Sequence, residues 1–167
     1  MLSTVLLPGS VTLIPVYLIW RTLHLTNTYW PLTVPSFFGP PFFIFLLRQF
    51  FLSIPQELSD TVRVDGANEL RIMTRIVAPL SVPALAAIAV FTFINTWEDF
   101  LNPLIYLDDP NLLTMALGLQ RFLGAHVQEW GALMAGVVVF VLPTLLVFAL
   151  AQRLILEGIT FTGVTGT

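Results

Sequence analysis

Ile54–Leu85 reads IPQELSDTVRVDGANELRIMTRIVAPLSVPAL and carries four acids and three arginines in a chain that is only 10% charged. Ser53 and Gln56 stand at capping-box spacing, where a hydroxyl and an amide side chain satisfy backbone groups at a helix start. Pro55 is tolerated in that first turn. A short helix is predicted from about Ile54 to Val64. Asp65–Gly66 stops it, because glycine takes the left-handed conformation without a Cβ penalty. A second helix is predicted from about Asn68, with Leu70, Met73 and Val77 on one face and Arg71 and Arg75 one turn apart on another. Neither arginine has an acid three or four positions away, so their partner lies outside their own helix. Anionic lipid headgroups and another protein both fit that role. Asp60 and Arg63, at i and i+3, have the spacing of a surface ion pair.

On either side of this hairpin the charges thin out. The chain is 167 residues long and 56% hydrophobic, whereas about 25% of residues are charged in an ordinary soluble domain. Uncharged intervals cover 1–20, 22–47, 76–97 and 130–152, lengths of 20, 26, 22 and 23 residues. About 20 helical residues cross a hydrocarbon core of about 30 Å. The expected fold class is therefore all-α transmembrane, with spans at about 4–22, 32–50, 79–102 and 131–152. A polar loop over 53–78 joins the second and third spans, an external loop over 108–130 precedes the fourth, and a tail covers 153–167. Pro31, Pro35, Pro40 and Pro41 remove backbone donors and should delay the second helix until about Phe42. The first interval lacks the basic region and small-residue cleavage site of a signal peptide, and Pro8 and Pro15 interrupt it. Arg48, Arg63, Arg71, Arg75 and Arg153 fall on one side of this arrangement and only Arg21 and Arg121 on the other, which makes the polar loop and tail cytoplasmic.

Composition also removes whole classes of function. All seven cationic residues are arginine, so Schiff-base chemistry and a P-loop lysine are excluded. Without cysteine there is no thiolate catalysis or Cys-based zinc site. A net charge of −3 offers no basic stripe for nucleic acid. His24 and His126 have no ligand-spaced companions, so no metal site is expected. No HExxH or GxSxG motif or aspartate pair marks an intramembrane enzyme. Gly131, Ala132, Ala135 and Gly136 form a small-residue face in the last span that permits close helix packing.

The helix–Gly–helix element, followed by Pro79 and Pro83, resembles the EAA loop of binding-protein-dependent ABC import permeases. The family's acidic triplet falls on Asp60, Thr61 and Val62, its glycine on Gly66, and its closing signature on Ile76, Val77, Ala78 and Pro79. Asp60 keeps the acid, while Thr61, Val62 and Ala78 depart from the pattern. Val11–Trp30, Phe45–Phe51, Phe91–Leu107, Glu129–Ala135 and Gln152–Gly166 resemble further blocks of the carbohydrate-uptake branch, the maltose-type inner-membrane permeases, in family order. The match starts at what would be the third of six family helices, so the first two are expected to be missing here.

The resemblance implies a permease subunit of the cell inner membrane that does no covalent chemistry and binds no cofactor itself. Its implied partners are a second permease subunit, two ATP-binding cassette subunits that hold the ATP, an extracytoplasmic sugar-binding protein and the lipid bilayer. On the 53–78 coupling loop, Glu57, Asp60, Arg63, Asp65, Gly66, Ala67, Arg71 and Arg75 become candidates for contact with the ATP-binding subunit. The external loop would touch the binding protein. A permease for a non-carbohydrate solute, or a structural membrane subunit without a path of its own, stays as the alternative.

A second polar constellation lies at the far end of the third span. Asn95, Glu98, Asp99 and Asn102 recur at i, i+3, i+4 and i+7, a single stripe on a continuous helix. With Trp97 and Tyr106 beside it, the stripe suits the outer mouth of a translocation path or, equally, an aromatic and acidic anchor at the membrane boundary.

Overall fold

A computed structural model describes residues 8–64, 66–125 and 130–162, and of residues 121, 123–125 and 153–162 the backbone only. All regular structure among them is helical. In chain order these are α1 (Gly9–Thr22), α2 (Trp30–Phe37), α3 (Pro41–Ser53), α4 (Gln56–Val64) and α5 (Glu69–Ile72). A π-helical turn (Met73–Val77) then leads into α6 (Ala78–Leu80), α7 (Val82–Trp97), α8 (Leu101–Tyr106), a 3-10 turn (Pro110–Leu112), α9 (Met115–Ala125) and α10 (Trp130–Thr162). Trp30–Ser53 and Trp130–Gln152 are each long and apolar enough to cross a membrane, and Glu69–Leu80 with Val82–Trp97 makes a third such run, bent by 66°.

Among the described residues, those up to Pro41 and those of Phe93–Leu146 form one compact unit, and those of Phe42–Thr92 and from Val147 onward form another. In the first unit α2 packs on α8, and Pro31, Pro103, Tyr106, Leu107, Leu117 and Leu133 are buried. Gly136 of the small-residue face is a true close approach: a Cβ there would lie 2.8 Å from the Leu119 side chain, whereas one at Gly131 would meet nothing. In the second unit Ile72, Ser81, Ala84 and Val90 are buried. Outside these small cores α10 stays apolar all round: Val137, Val138, Val139, Val141 and Leu142, five of six successive positions, are exposed, leaving no polar face there, as expected of a helix surrounded by lipid or by other helices.

Several sequence expectations are corrected here. Ser53 does not cap the next helix. It closes α3, donating its hydroxyl to the Phe50 carbonyl at 2.7 Å, because the last carbonyls of a helix need donors as much as the first amides of the next need acceptors. The third span is not one uninterrupted helix from 79 to 102. Pro79 lacks an N–H, and its ring would collide with the Arg75 carbonyl in an α register. The chain opens instead into the π turn, where the Ala78 amide reaches Met73, and bends at Ser81, whose buried hydroxyl donates to the Val77 carbonyl at 2.6 Å. The helix breaks again at Glu98–Phe100, one turn before Pro103, which likewise cannot donate to the Asp99 carbonyl. The external loop over 108–130 is also no plain loop, since it contains α9. Finally, α10 runs on to Thr162, beyond the expected start of the tail at 153.

Two helix ends are closed by the same local geometry. Gly66, at φ +81, sends its amide to the Arg63 carbonyl at 3.1 Å while the Ala67 amide reaches Val62 at 3.2 Å, the paired bonds of a Schellman motif. His24, at φ 56, ends α1 in the same way, with its amide on Arg21 and that of Leu25 on Trp20, both at 3.1 Å. Where α7 ends, Trp97 stacks with Phe93 and with Phe140, ring centroids 5.9 and 5.8 Å away. Its indole Nε1 donates to the Phe140 carbonyl at 2.9 Å, in the turn of α10 that Pro143 loosens.

Two outcomes follow for variants at these positions. Gly66→Ala meets no steric obstacle but places a Cβ in the left-handed region, at a cost of about 1–2 kcal/mol. The Ala67 amide should then exchange with solvent roughly 5- to 30-fold faster, with Gly66→Asn intermediate. Trp97→Phe keeps the stack and removes the donor, and should lower stability by about 1 kcal/mol in reversible unfolding from detergent micelles.

Candidate functional site

The charged hairpin is built from α4, the Gly66 reversal and α5. Asn68 starts the second arm, its side-chain oxygen accepting from the Arg71 amide at 2.9 Å. Across the turn Arg63 holds both arms: Nη1 lies 2.6 Å from Asp60 on its own helix, and Nη2 lies 2.9 Å from Glu69 on the other. Every member of this triad is at least half exposed, so each pair contributes well under about 1 kcal/mol. What the triad adds is a direct link between the two arms, since one guanidinium reaches a carboxylate on each of α4 and α5.

The remaining sequence candidates divide clearly. Glu57 is exposed in the first turn of α4, with its backbone carbonyl accepting from Thr61 Oγ1 at 2.8 Å. Ala67 is half-buried behind Gly66. Asp65 lies outside the described residues. Arg71 and Arg75 are exposed and make no ion pair among the described residues. Arg75 borders an open hollow of about 420 Å³ walled by Leu58, Val62, Ile76 and Pro79; Arg71 is not among its walls. Sequence reading missed two residues beside the turn, Val64 and Leu70, which are 89% and 70% exposed. The signal was their place at the hairpin tip, where an apolar side chain has no core to face.

The second constellation is brought together only in part. Asn95 lies on α7 and is exposed, as is Glu98 just past its end. Asp99 and Asn102 pair with each other. The Asp99 carboxylate accepts from the Asn102 amide at 3.2 Å and from its side-chain Nδ2 at 2.8 Å, so Asp99 caps α8 across the break. Trp97, stacked with Phe93 and Phe140 and bonded at Nε1, is not a free aromatic platform. Tyr106 is buried as well. Burial, and after it the neighbouring Tyr17 phenol, push its pKa above the ordinary value. Among the described residues no three His, Cys, Asp or Glu side chains come together as metal ligands; His126 lies outside them.

The chain matches the family described as "Binding-protein-dependent transport system inner membrane component" over residues 2–160. It is 37% identical over 166 residues to the "Probable ABC transporter permease protein YurM" of Bacillus subtilis, covering 99% of this chain and 55% of that protein. It is 33% identical to the "Arabinooligosaccharides transport system permease protein AraQ" of Halalkalibacterium halodurans, covering 99% of this chain and 59% of that one. With the "sn-glycerol-3-phosphate transport system permease protein UgpE" of Pectobacterium atrosepticum it shares 36% identity, over 93% of this chain and 56% of the relative. The chain thus spans a little over half the length of these relatives. An all-helical chain with membrane-length apolar helices, matched across nearly its whole length, belongs to the inner-membrane component family of binding-protein-dependent transport systems.

Proposed function

We propose that this chain forms part of the translocation path of an ATP-driven importer of sugars or related small solutes, and that a separate ATP-binding subunit grips it at α4–α5. The observation that carries this reading is the tip of the hairpin. Gly66 fixes the reversal and Arg63 braces both arms, while Val64 and Leu70 stand exposed beside Arg71 and Arg75. An apolar and cationic tip on a membrane chain is a surface for a protein partner, because apolar contact and desolvated charge are what such interfaces bury. Asp60, Arg63 and Glu69 act in this reading as a brace, and Glu57, Asp65 and Ala67 as its flank.

In mechanism the hairpin is a lever. Closure of the ATP-binding subunits moves it as a rigid piece, and the movement reaches α7 through the π turn and the bend at Ser81. This chain binds no nucleotide itself; its partners are a second permease subunit, two ATP-binding subunits and an extracytoplasmic binding protein. The hairpin and the tail face the cytoplasm. Exposed Asn95, Glu98 and Asn102 line the outer mouth of the path, supplying hydrogen bonds to a hydroxylated solute. The relatives named for arabinooligosaccharides and sn-glycerol-3-phosphate support a polyhydroxylated cargo.

The test is co-expression with the partner subunits, comparing the natural chain with Gly66→Pro and with Arg71 and Arg75 both changed to Glu. Solute-stimulated ATP hydrolysis should fall at least about tenfold in the charge-reversed variant, the scale of losing buried charge contacts at an interface, and Gly66→Pro should lose the assembled complex. Normal assembly and stimulation in both variants would overturn the grip assigned to α4–α5.

A further inference from the structure

The connection between α1 and α2, residues 23–29, is folded around Asn27. Two non-glycine residues in it have positive φ, His24 at 56° and Asn27 at 58°. Asn27 donates its backbone N–H to the Tyr106 carbonyl at 2.7 Å. Its side-chain Oδ1 accepts from two successive amides, Asp108 at 3.0 Å and Asp109 at 2.9 Å. Nearby, the Tyr29 hydroxyl donates to the Leu112 carbonyl at 3.1 Å. Four hydrogen bonds thus join two connections that are about eighty positions apart in the chain, all within one compact unit.

The residue type is what this geometry requires. Asparagine is among the few residues other than glycine that enter the left-handed region readily, and its amide oxygen is a neutral acceptor for two donors. Glycine would keep the backbone and lose the acceptor. Aspartate would keep the acceptor but set a third carboxylate beside Asp108 and Asp109. The two amides it satisfies follow the extended residue Leu107, so they have left the helix and have no ladder partner. The clasped surface is presented outward: Tyr29 and Trp30 are 47% and 56% exposed, and with Thr33 and Leu112 they wall an open hollow of about 380 Å³.

We propose that Asn27 is a positioning residue that makes residues 23–29 and 107–112 one rigid platform, so that a solute-delivering protein pressing on this platform moves α1, α2 and α8 together. The proposal rests on the importer reading above. Without the clasp, the two connections would yield separately and the docking load would dissipate in them.

The test uses the complete importer in lipid nanodiscs, with Asn27→Gly, Asn27→Asp and the milder Tyr29→Phe. In Asn27→Gly the Asp108 and Asp109 amides should exchange about tenfold faster, and stimulation of ATP hydrolysis by the loaded binding protein should fall about tenfold while basal hydrolysis stays at the natural level. Asn27→Asp should keep most of the protection and stimulation, and Tyr29→Phe should lose part of each. Unchanged amide exchange in Asn27→Gly would overturn the clasp. Stimulation that survives there, or falls only in step with basal hydrolysis, would overturn its role in transmission. A natural importer that no loaded binding protein stimulates would instead overturn the importer reading and the transmission built on it, leaving amide exchange to decide the clasp.

Discussion

A proline inside an apolar helix removes a donor and crowds the turn before it, and the bends and breaks of this chain lie beside such prolines. Pro79 is accommodated by a π turn, and at the bend that follows both the amide and the buried hydroxyl of Ser81 reach the Val77 carbonyl. Ahead of Pro103 the helix breaks, and Asp99 takes the freed amide of Asn102. Next to the Val139 carbonyl, which Pro143 cannot serve, the indole of Trp97 donates to the Phe140 carbonyl. Each answer uses a side chain that a reading by polarity would assign to solvent or solute. The run from Glu69 to Tyr106 becomes a series of rigid segments with defined bends, the first of them 66°.

The same constraint explains which parts of the fold were legible in the sequence. Gly66 and Asn68 were, because a helix stop and a helix cap depend on residues within one turn of each other. Among the described residues three of the four expected membrane-length apolar runs recur, near 32–50, 79–102 and 131–152, and these were legible from the spacing of charges. The break before Pro103 was not, because four polar residues at helical spacing argued for a continuous helix and one proline argued against it. Helix α9 lies in a segment whose polarity argues for a loop, although Met115, Leu119, Phe122 and Leu123 keep a helical period. The Arg63–Glu69 contact escaped a search at i±3 and i±4, since only the Gly66 reversal brings positions six apart together. The Asn27 clasp joins residues about eighty apart, and no local pattern encodes that distance.

The candidate site was legible at a coarser level than the fold. Sequence pattern located the hairpin and its unpaired arginines, but the exposed Val64 and Leu70 emerge only once the two arms have direction. Trp97 shows the opposite error. An aromatic beside acids at the end of a span looks like a surface group, yet its ring stacks with Phe93 and Phe140 and its indole N–H is taken by the Phe140 carbonyl. Burial of an aromatic depends on what a distant helix brings to it, which composition does not record.

On the reading proposed above, in which a separate ATP-binding subunit grips α4–α5, the build of the hairpin bears on how force would pass through the chain. The Arg63 triad is too exposed to add much stability, so its effect lies in limiting the angles open to α4 and α5 when a partner loads them. An unbraced glycine reversal would let the arms swing, and work done on the tip would be absorbed there. With both arms tied to one guanidinium, displacement of the tip passes along α5 to the π turn. That turn is itself pinned at its far end by the Ser81 hydroxyl on Val77. The first place where the chain changes direction is then the bend at Ser81, where α7 begins. A lever needs a stiff arm and one defined fulcrum, and in the proposed coupling glycine, arginine and serine would provide them within about twenty residues of sequence.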